Sequence, residues 1–181
     1  SAWLAGAQPG TVLDLLGPLG RPLEQLGQPQ ALLLLAEGPG VGALLSLAAQ
    51  ASARGAAAVL LQAAPEPLRL PPYLLPPDIE YLAASGDVLA LLDAAAGKGS
   101  FDTPLLWADQ LIASGPPALA SRLAARIRRD RFNWKPGFAR FVVQQPFACG
   151  LGLCGGCWHD TRRGARLLCQ AGPGLDLRDA V

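Results

Sequence analysis

Ala31-Leu32-Leu33-Leu34-Leu35-Ala36-Glu37-Gly38-Pro39-Gly40-Val41-Gly42 is the stretch from which the fold of this 181-residue chain can be read. Ala31 to Ala36 is short, wholly apolar and closed by glycines, which predicts a strand buried on both faces. An alanine- and leucine-rich segment follows through about Ala53 and predicts a helix. Strand, glycine turn and helix in that order can aim backbone N–H groups and a helix N-terminus at a phosphate. Gly38, Gly40 and Gly42 are therefore candidate nucleotide contacts. Pro39 removes one donor and Glu37 would repel a phosphate, so a plain strand-to-helix turn stays open as the other reading.

The pattern repeats downstream. Ala56 to Gln62 reads as a second buried strand, Asp87 to Ala96 as a helix, and Trp107 to Ala113 as a further strand. Ser114-Gly115-Pro116-Pro117 then leads into a helix ending in Arg126, Arg128, Arg129 and Arg131. Prolines suit a first helical turn, whose N–H groups lack intrahelical partners. The arginines favour the C-terminal end of the helix dipole and read as a solvated helix end, with a docking patch as the alternative. Pro65 to Pro77 contains six prolines and predicts a surface loop. Strand–helix alternation of this kind predicts an α/β fold with an open, mostly parallel, Rossmann-like sheet. Upstream, Val12 to Leu16 alternates and predicts a short strand that stops at Gly17-Pro18. A lone strand needs a partner, so it must pack on something downstream or belong to a further domain.

All four cysteines lie toward the C-terminal end, as Cys149, Cys154, Cys157 and Cys169. Their spacing is C-x4-C-x2-C-x11-C, and its opening matches the plant-type ligand run for a 2Fe–2S cluster. Gly150, Gly152, Gly155 and Gly156 would let the loop curl around inorganic sulfide. Two disulfides or a structural zinc site compete with this reading. Disulfides belong to oxidising compartments and to small domains lacking a core, whereas this chain is 51% apolar. Zinc sites pair two C-x2-C knuckles or one knuckle with two histidines. His159 is the sole histidine, reads as a loop residue beside the cysteines, and leaves a two-histidine Rieske centre without its ligands. Phe138 to Val143 predicts a strand entering the cysteine loop. Trp158 to Cys169 predicts a small hairpin around Arg162-Arg163-Gly164 that returns Cys169 beneath it. Together these form a small β-rich 2Fe–2S module.

A net charge of +1 carries no nucleic-acid signal, and the uninterrupted apolar runs are too short to span a bilayer. The expectation is a soluble, cytoplasmic protein with no membrane and no nucleic-acid partner. Alanine, leucine, arginine, proline and glycine dominate, as coding in a GC-rich genome produces.

With both loops placed, the chain resembles the electron transfer subunit of type B dihydroorotate dehydrogenase, an iron–sulfur branch of the ferredoxin-NADP reductase family. Thr11 to Gly20 resembles the end of the family's flavin barrel, with its Gly-Pro-Leu-Gly. Glu37 to Leu44 resembles its nucleotide loop, and Ala113-Ser114-Gly115-Pro116 its Cys-Gly-Pro turn near the nicotinamide. Ala148 to Cys157, followed by Cys169-Gln170-Ala171-Gly172-Pro173, resembles its cluster-binding tail.

The resemblance implies Cys149, Cys154, Cys157 and Cys169 as cluster ligands, and Gly38, Gly40, Gly42, Ser114, Gly115 and Pro116 as nucleotide contacts. It also implies a path from NADH to FAD, to a 2Fe–2S cluster, and on to the flavin of a separate subunit that interconverts dihydroorotate and orotate in pyrimidine biosynthesis. Departures accompany the matches. Most of the flavin barrel is absent, Ser114 replaces a cysteine, and Gln144 and Gln145 stand where acidic residues are common. Tyr73 to Gly99 also lacks a glycine- and aspartate-containing segment. FAD and NAD(H) are thus implied only by the positions that persist.

The domain expectation is the end of a flavin barrel at residues 1–30, a Rossmann-like nucleotide-type domain at 31–135 and a cluster module at 136–181. The functional expectation is an electron-transfer subunit that serves a flavoenzyme acceptor rather than a stand-alone enzyme. The alternatives are a non-catalytic or oxidant-sensing iron–sulfur module, or a self-contained NADH-dependent reductase holding its own FAD.

Overall fold

The structure, a computed structural model, describes residues 2–23, 29–66, 69–97, 103–131 and 134–180. Its element order is α1 (Ala2–Ala5), β1 (Ala31–Glu37), α2 (Gly42–Ala53), β2 (Ala57–Ala64), β3 (Glu80–Ser85), α3 (Val88–Ala95), α4 (Pro104–Trp107) and β4 (Gln110–Gly115). Then come α5 (Pro117–Asp130), β5 (Ala139–Val143), β6 (Trp158–His159), β7 (Arg166–Leu167), α6 (Leu168–Ala171) and β8 (Gly174–Asp176). Six strands form one sheet in the order β3-β2-β1-β4-β5-β8, parallel except for the antiparallel β8.

β1 is continuously apolar because both of its faces are covered. Successive side chains point to opposite sides, so Leu33 and Leu35 join one core cluster while Leu32, Leu34 and Ala36 join another. The first cluster takes Val88 and Leu92 from α3, and Leu119, Leu123 and Ile127 from α5. The second takes Leu44, Leu47, Ala48 and Ala51 from α2, a set at helical spacing that picks out the buried face of a nearly all-apolar helix. Asp109 ties the start of β1 to β4, its carboxylate accepting from the N–H groups of Gln30 (3.0 Å) and Ala31 (3.1 Å). Asp87 caps α3 by accepting from the N–H groups of Leu89 and Ala90.

The open, mostly parallel sheet and its buried first strand are as the sequence predicts. Three details differ. Val12 to Leu16 forms no strand, and Val12 and Leu15 are almost fully exposed, because no neighbouring strand offers a ladder. The strand predicted from Trp107 begins at Gln110, since Pro104 starts a helical turn that Trp107 closes. β3 and β8 carry no strong periodic signal. They form because the edges of β2 and β5 present unpaired backbone groups for them to complete.

Of the four arginines at the end of α5, Arg128 and Arg129 are exposed, whereas Arg126 and Arg131 serve internal contacts. Arg126 bridges Asp93 and Asp130, each at 2.5 Å. Arg131 donates to the carbonyls of Leu105 (3.1 Å) and Ala108 (2.8 Å) and lies 4.1 Å from the Phe138 ring centroid. Asp130 is held below the usual carboxylate range: burial raises it, but hydrogen bonds from Arg126 and Arg129 outweigh that effect. No helix among the described residues is long and apolar enough to cross a membrane.

Candidate metal centre

The cysteine loop leaves the sheet at the end of β5 and returns through the β6–β7 ribbon. Trp158 pairs with Leu167 and His159 with Arg166, so the ribbon lays Cys169, on α6, beside Cys157. His159 thus stands on β6 rather than in a loop. A turn closed by the Gly164 N–H to the Thr161 carbonyl (3.0 Å) ends the ribbon, as the predicted hairpin requires. Cys157 and Cys169 are buried within the α3/α5 core, Cys149 is half-buried and Cys154 is exposed, and all four are free thiols.

The loop's curvature depends on glycine where two conditions meet. Gly150 and Gly152 have φ of +67° and +77°. A Cβ on Gly152 would stand 2.1 Å from Gln170 Nε2, and one on Gly150 would stand 2.8 Å from Leu19 Cδ1. Gly156 has ordinary φ and only approaches Cys154 Sγ, so its place in the turn rests on space rather than handedness. Gln145 Nε2 donates to the Gly156 carbonyl at 3.0 Å and Gln170 Nε2 to the Leu151 carbonyl at 3.4 Å. These two amide side chains fasten the loop from both sides.

Backbone N–H groups point at sulfur. Leu151 donates to Cys149 Sγ (3.4 Å), Gly156 to Cys154 Sγ (3.4 Å) and Cys169 to Cys157 Sγ (3.5 Å). Cys149 is lowered to about 6, first by the Cys154 N–H, then by the Leu151 N–H and the Cys154 thiol. Cys157 is lowered chiefly by the Cys169 N–H. Cys169 is raised, chiefly because its own thiol proton is engaged with Cys157. The Cys169 N–H thus joins Cys169 to Cys157, while Cys149 and Cys154 take their N–H donors from the loop they share. Among the described residues no three Cys, His, Asp or Glu side chains gather around one ion position. Two pairs of thiolates facing N–H donors suit a two-iron group, in which each iron needs two sulfur ligands from the protein. On this observation the residues fit a 2Fe–2S cluster.

Residues 144–180 match the family model for the iron-sulfur cluster binding domain of dihydroorotate dehydrogenase B. The chain is 32% identical over 165 residues to the dihydroorotate dehydrogenase B (NAD(+)) electron transfer subunit of Geobacillus kaustophilus, covering 87% of this chain and 59% of that protein. It is 27% identical to the corresponding subunit of Shouchella clausii, covering 98% of this chain and 68% of the relative. Over most of its length the chain is similar to these electron transfer subunits. It spans about three fifths of the length of the first of them. A solved structure described as an NADH-dependent reduced ferredoxin-NADP oxidoreductase shares the fold, with a TM-score of 0.68 at 20% identity over 98% of this chain and 63% of that one.

The second group of sequence candidates lies at the C-terminal ends of β1 and β4. Gly38, Gly40 and Gly42 follow β1, while Ser114, Gly115 and Pro116 end β4 and cap α5. β1 and β4 are neighbours at the point where strand order reverses, the crevice where open α/β sheets bind ligands. The structure thus brings the two sets together. Yet a Cβ on Gly40 would stand 2.0 Å from Gln144 Nε2 and 2.6 Å from the Ser114 carbonyl oxygen. Gln144 fills the space over Gly40, donating to the Glu37 carbonyl and to Ser114 Oγ, both at 3.4 Å. Glu37 stays at the rim, 3.6 Å from Arg122, which also pairs with Asp87. Gly38 and Gly42 face open space, but the middle of the loop does not fit a pyrophosphate pressed against the backbone. Nor do residues 11–20 fit FAD: they carry no strand, and Val12 and Leu15 point outward. Instead Leu16 and Leu19 abut Gly150, and the Arg21 N–H donates to the Gly172 carbonyl at 2.7 Å. No local pattern in this segment foretells that it braces the cysteine loop. Nor does any local pattern foretell Gln144 as a plug, since in sequence it is only a neutral residue where acidic ones are common.

Proposed function

We propose that this chain is an iron–sulfur electron-transfer subunit, and that Cys149, Cys154, Cys157 and Cys169 hold a 2Fe–2S cluster. The observation that carries the reading is the arrangement of the thiols as two pairs under backbone N–H groups, within the segment matched by the cluster-binding family. When bound, such a cluster supplies a one-electron carrier whose potential depends on hydrogen bonds to sulfur and on exposure. The chain's own residues hold and screen it. Cys157 and Cys169 anchor one side in the core, while Cys149 and Cys154 lie outward beside exposed Leu151, Leu153 and Trp158. That outward side is the one a partner would approach.

The reading extends to the whole protein's activity by likeness to its relatives. The partner is a dihydroorotate dehydrogenase catalytic subunit or similar flavoenzyme, the setting is pyrimidine biosynthesis, and the compartment is the cytoplasm. Residues 136–181 act as the cluster module, residues 31–135 as a Rossmann-like scaffold of nucleotide-binding type, and residues 1–30 as the end of a flavin-barrel region. Gly38, Gly42, Ser114, Gly115 and Pro116 form the surviving rim of that nucleotide crevice.

Anaerobic purification followed by iron and sulfide analysis and EPR of the reduced protein tests the proposal. Two irons and two sulfides per chain with an S = 1/2 signal are expected. A colourless protein with stoichiometric zinc would overturn it. One observation favours a second reading, a redox-sensing or structural module: Gln144 closes the middle of the nucleotide loop. Stopped-flow mixing of the reduced protein with the catalytic flavoprotein separates the two, because a sensor delivers no electrons to the flavin.

A further inference from the structure

Behind the cysteine module, where β5 meets β8, an open pocket of about 250 Å³ is lined by Arg21, Arg140, Arg163 and Arg166 against Asp176 and Asp179. Four cations face two carboxylates, and the carboxylates are already engaged. Arg163 pairs with Asp179 at 3.0 Å. Asp176 lies directly across the β5–β8 ladder from Arg140, a position that favours an ion pair between opposite charges. It makes none with Arg140. Its two oxygens instead accept the N–H groups of Gly137 (2.6 Å) and Arg178 (2.9 Å). Arg140 Nε is shielded from solvent and has no hydrogen-bond partner. Among the described residues Arg21 and Arg166 likewise form no ion pair.

A screened Nε–H without an acceptor, on a half-buried guanidinium in a pocket carrying surplus positive charge, calls for an acceptor oxygen. Guanidinium forks match the oxygens of phosphate in pairs, and a water-poor wall strengthens each such bond. The pocket is smaller than the ~300–1,000 Å³ typical of sites for drug-sized molecules, so it suits one anionic group rather than a whole ligand. We infer that this pocket is a binding site for a phosphate-class oxyanion, either free phosphate or pyrophosphate or the terminal phosphate of a larger molecule. Arg140 is its floor, and Arg21 and Arg166 are its rim.

The site also links the parts of the chain. Arg21 belongs to the segment that braces Gly172, Arg140 to the sheet, and Arg166 to the ribbon carrying Cys169. An anion held by all three would clamp the cluster module to the scaffold.

The test is isothermal titration of the cluster-loaded protein, in a buffer free of phosphate, with inorganic phosphate, pyrophosphate, ADP and poly-glutamate, against a chloride control. Saturable binding of phosphate or pyrophosphate is expected, with at least tenfold weakening in the exposed double variant Arg21→Gln/Arg166→Gln and an unchanged visible spectrum. ADP binding tighter than pyrophosphate through the same arginines would support the proposal with a nucleotide as the source. No binding of any phosphate species at millimolar concentration, or equal affinity in the double variant, would overturn it. Binding of poly-glutamate alone would overturn it too, because the arginines would then serve an acidic protein surface.

Discussion

Two glycine-rich loops leave the C-terminal ends of β1 and β5, two strands on either side of β4 in one sheet, and they use glycine for opposite ends. In the loop at 149–157, missing side chains leave backbone N–H groups free to face sulfur, and Gly150 and Gly152 supply left-handed turns that no other residue adopts cheaply. In the loop at 38–42, the missing side chain of Gly40 makes room for Gln144 and for the Ser114 carbonyl. The first loop is a cradle open to a ligand. The second has its middle closed by the protein's own amide. Glycine content marks where backbone is approached closely, and only the surroundings say by what.

The largest expected effect breaks the comparison if it fails. Cys157→Ser should abolish iron incorporation, because this buried sulfur receives the Cys169 N–H and pairs with Cys169. Iron analysis and visible absorbance read the loss, and full iron content in the variant would remove the cradle assignment. Next comes Gly40→Ala, whose Cβ must displace the Ser114 backbone. It should cost about 1–3 kcal/mol in urea unfolding, the range for overpacking a filled site, with the cluster still assembling. Unchanged stability would mean that the second loop is as open as the first.

Gly152→Ala meets the flexible end of Gln170, so its main cost is the left-handed backbone, about 1–2 kcal/mol. That cost should appear as faster iron release to a chelator. Acid unfolding then separates scaffold from cradle. Asp130 has its folded pKa depressed by Arg126 and Arg129, so its stabilisation is full above the unfolded value of about 3.8 and is lost as pH falls through the folded value. Asp130→Asn should flatten the decline in melting temperature below about pH 4 while leaving iron content unchanged at pH 7. The smallest effect is that of Gly42→Ala. Gly42 sits at helical φ with open space above it, so alanine should stabilise by about 0.4–1 kcal/mol through the unfolded chain.

The sheet was legible because its strands are sandwiched. Ala31 to Glu37 and Ala57 to Ala64 must be almost wholly apolar to be covered on both faces, and that leaves a run no other element explains. Glu80 to Ser85 lies at the edge, half-covered and mixed in character, so its strand could be seen only once β2 supplied a partner. The four cysteines were legible from spacing, since a loop of that length can present its sulfurs together only by curling. Residues 12–16 misled because alternation is a necessary sign of a strand and not a sufficient one. Without a ladder the segment turned to packing Leu16 and Leu19 on the cysteine loop.

By itself, then, the sequence determined an α/β sheet, a cysteine set spaced for a two-iron cluster and a glycine turn after the first strand, because each is a local pattern with one economical conformation. Only the tertiary structure decided that Cys157 pairs with Cys169, that Gln144 closes the turn and that Arg140 faces a pocket instead of Asp176. Each of those outcomes joins groups between 12 and 107 residues apart in the chain. Such meetings are set by strand order and register, and no local pattern records them.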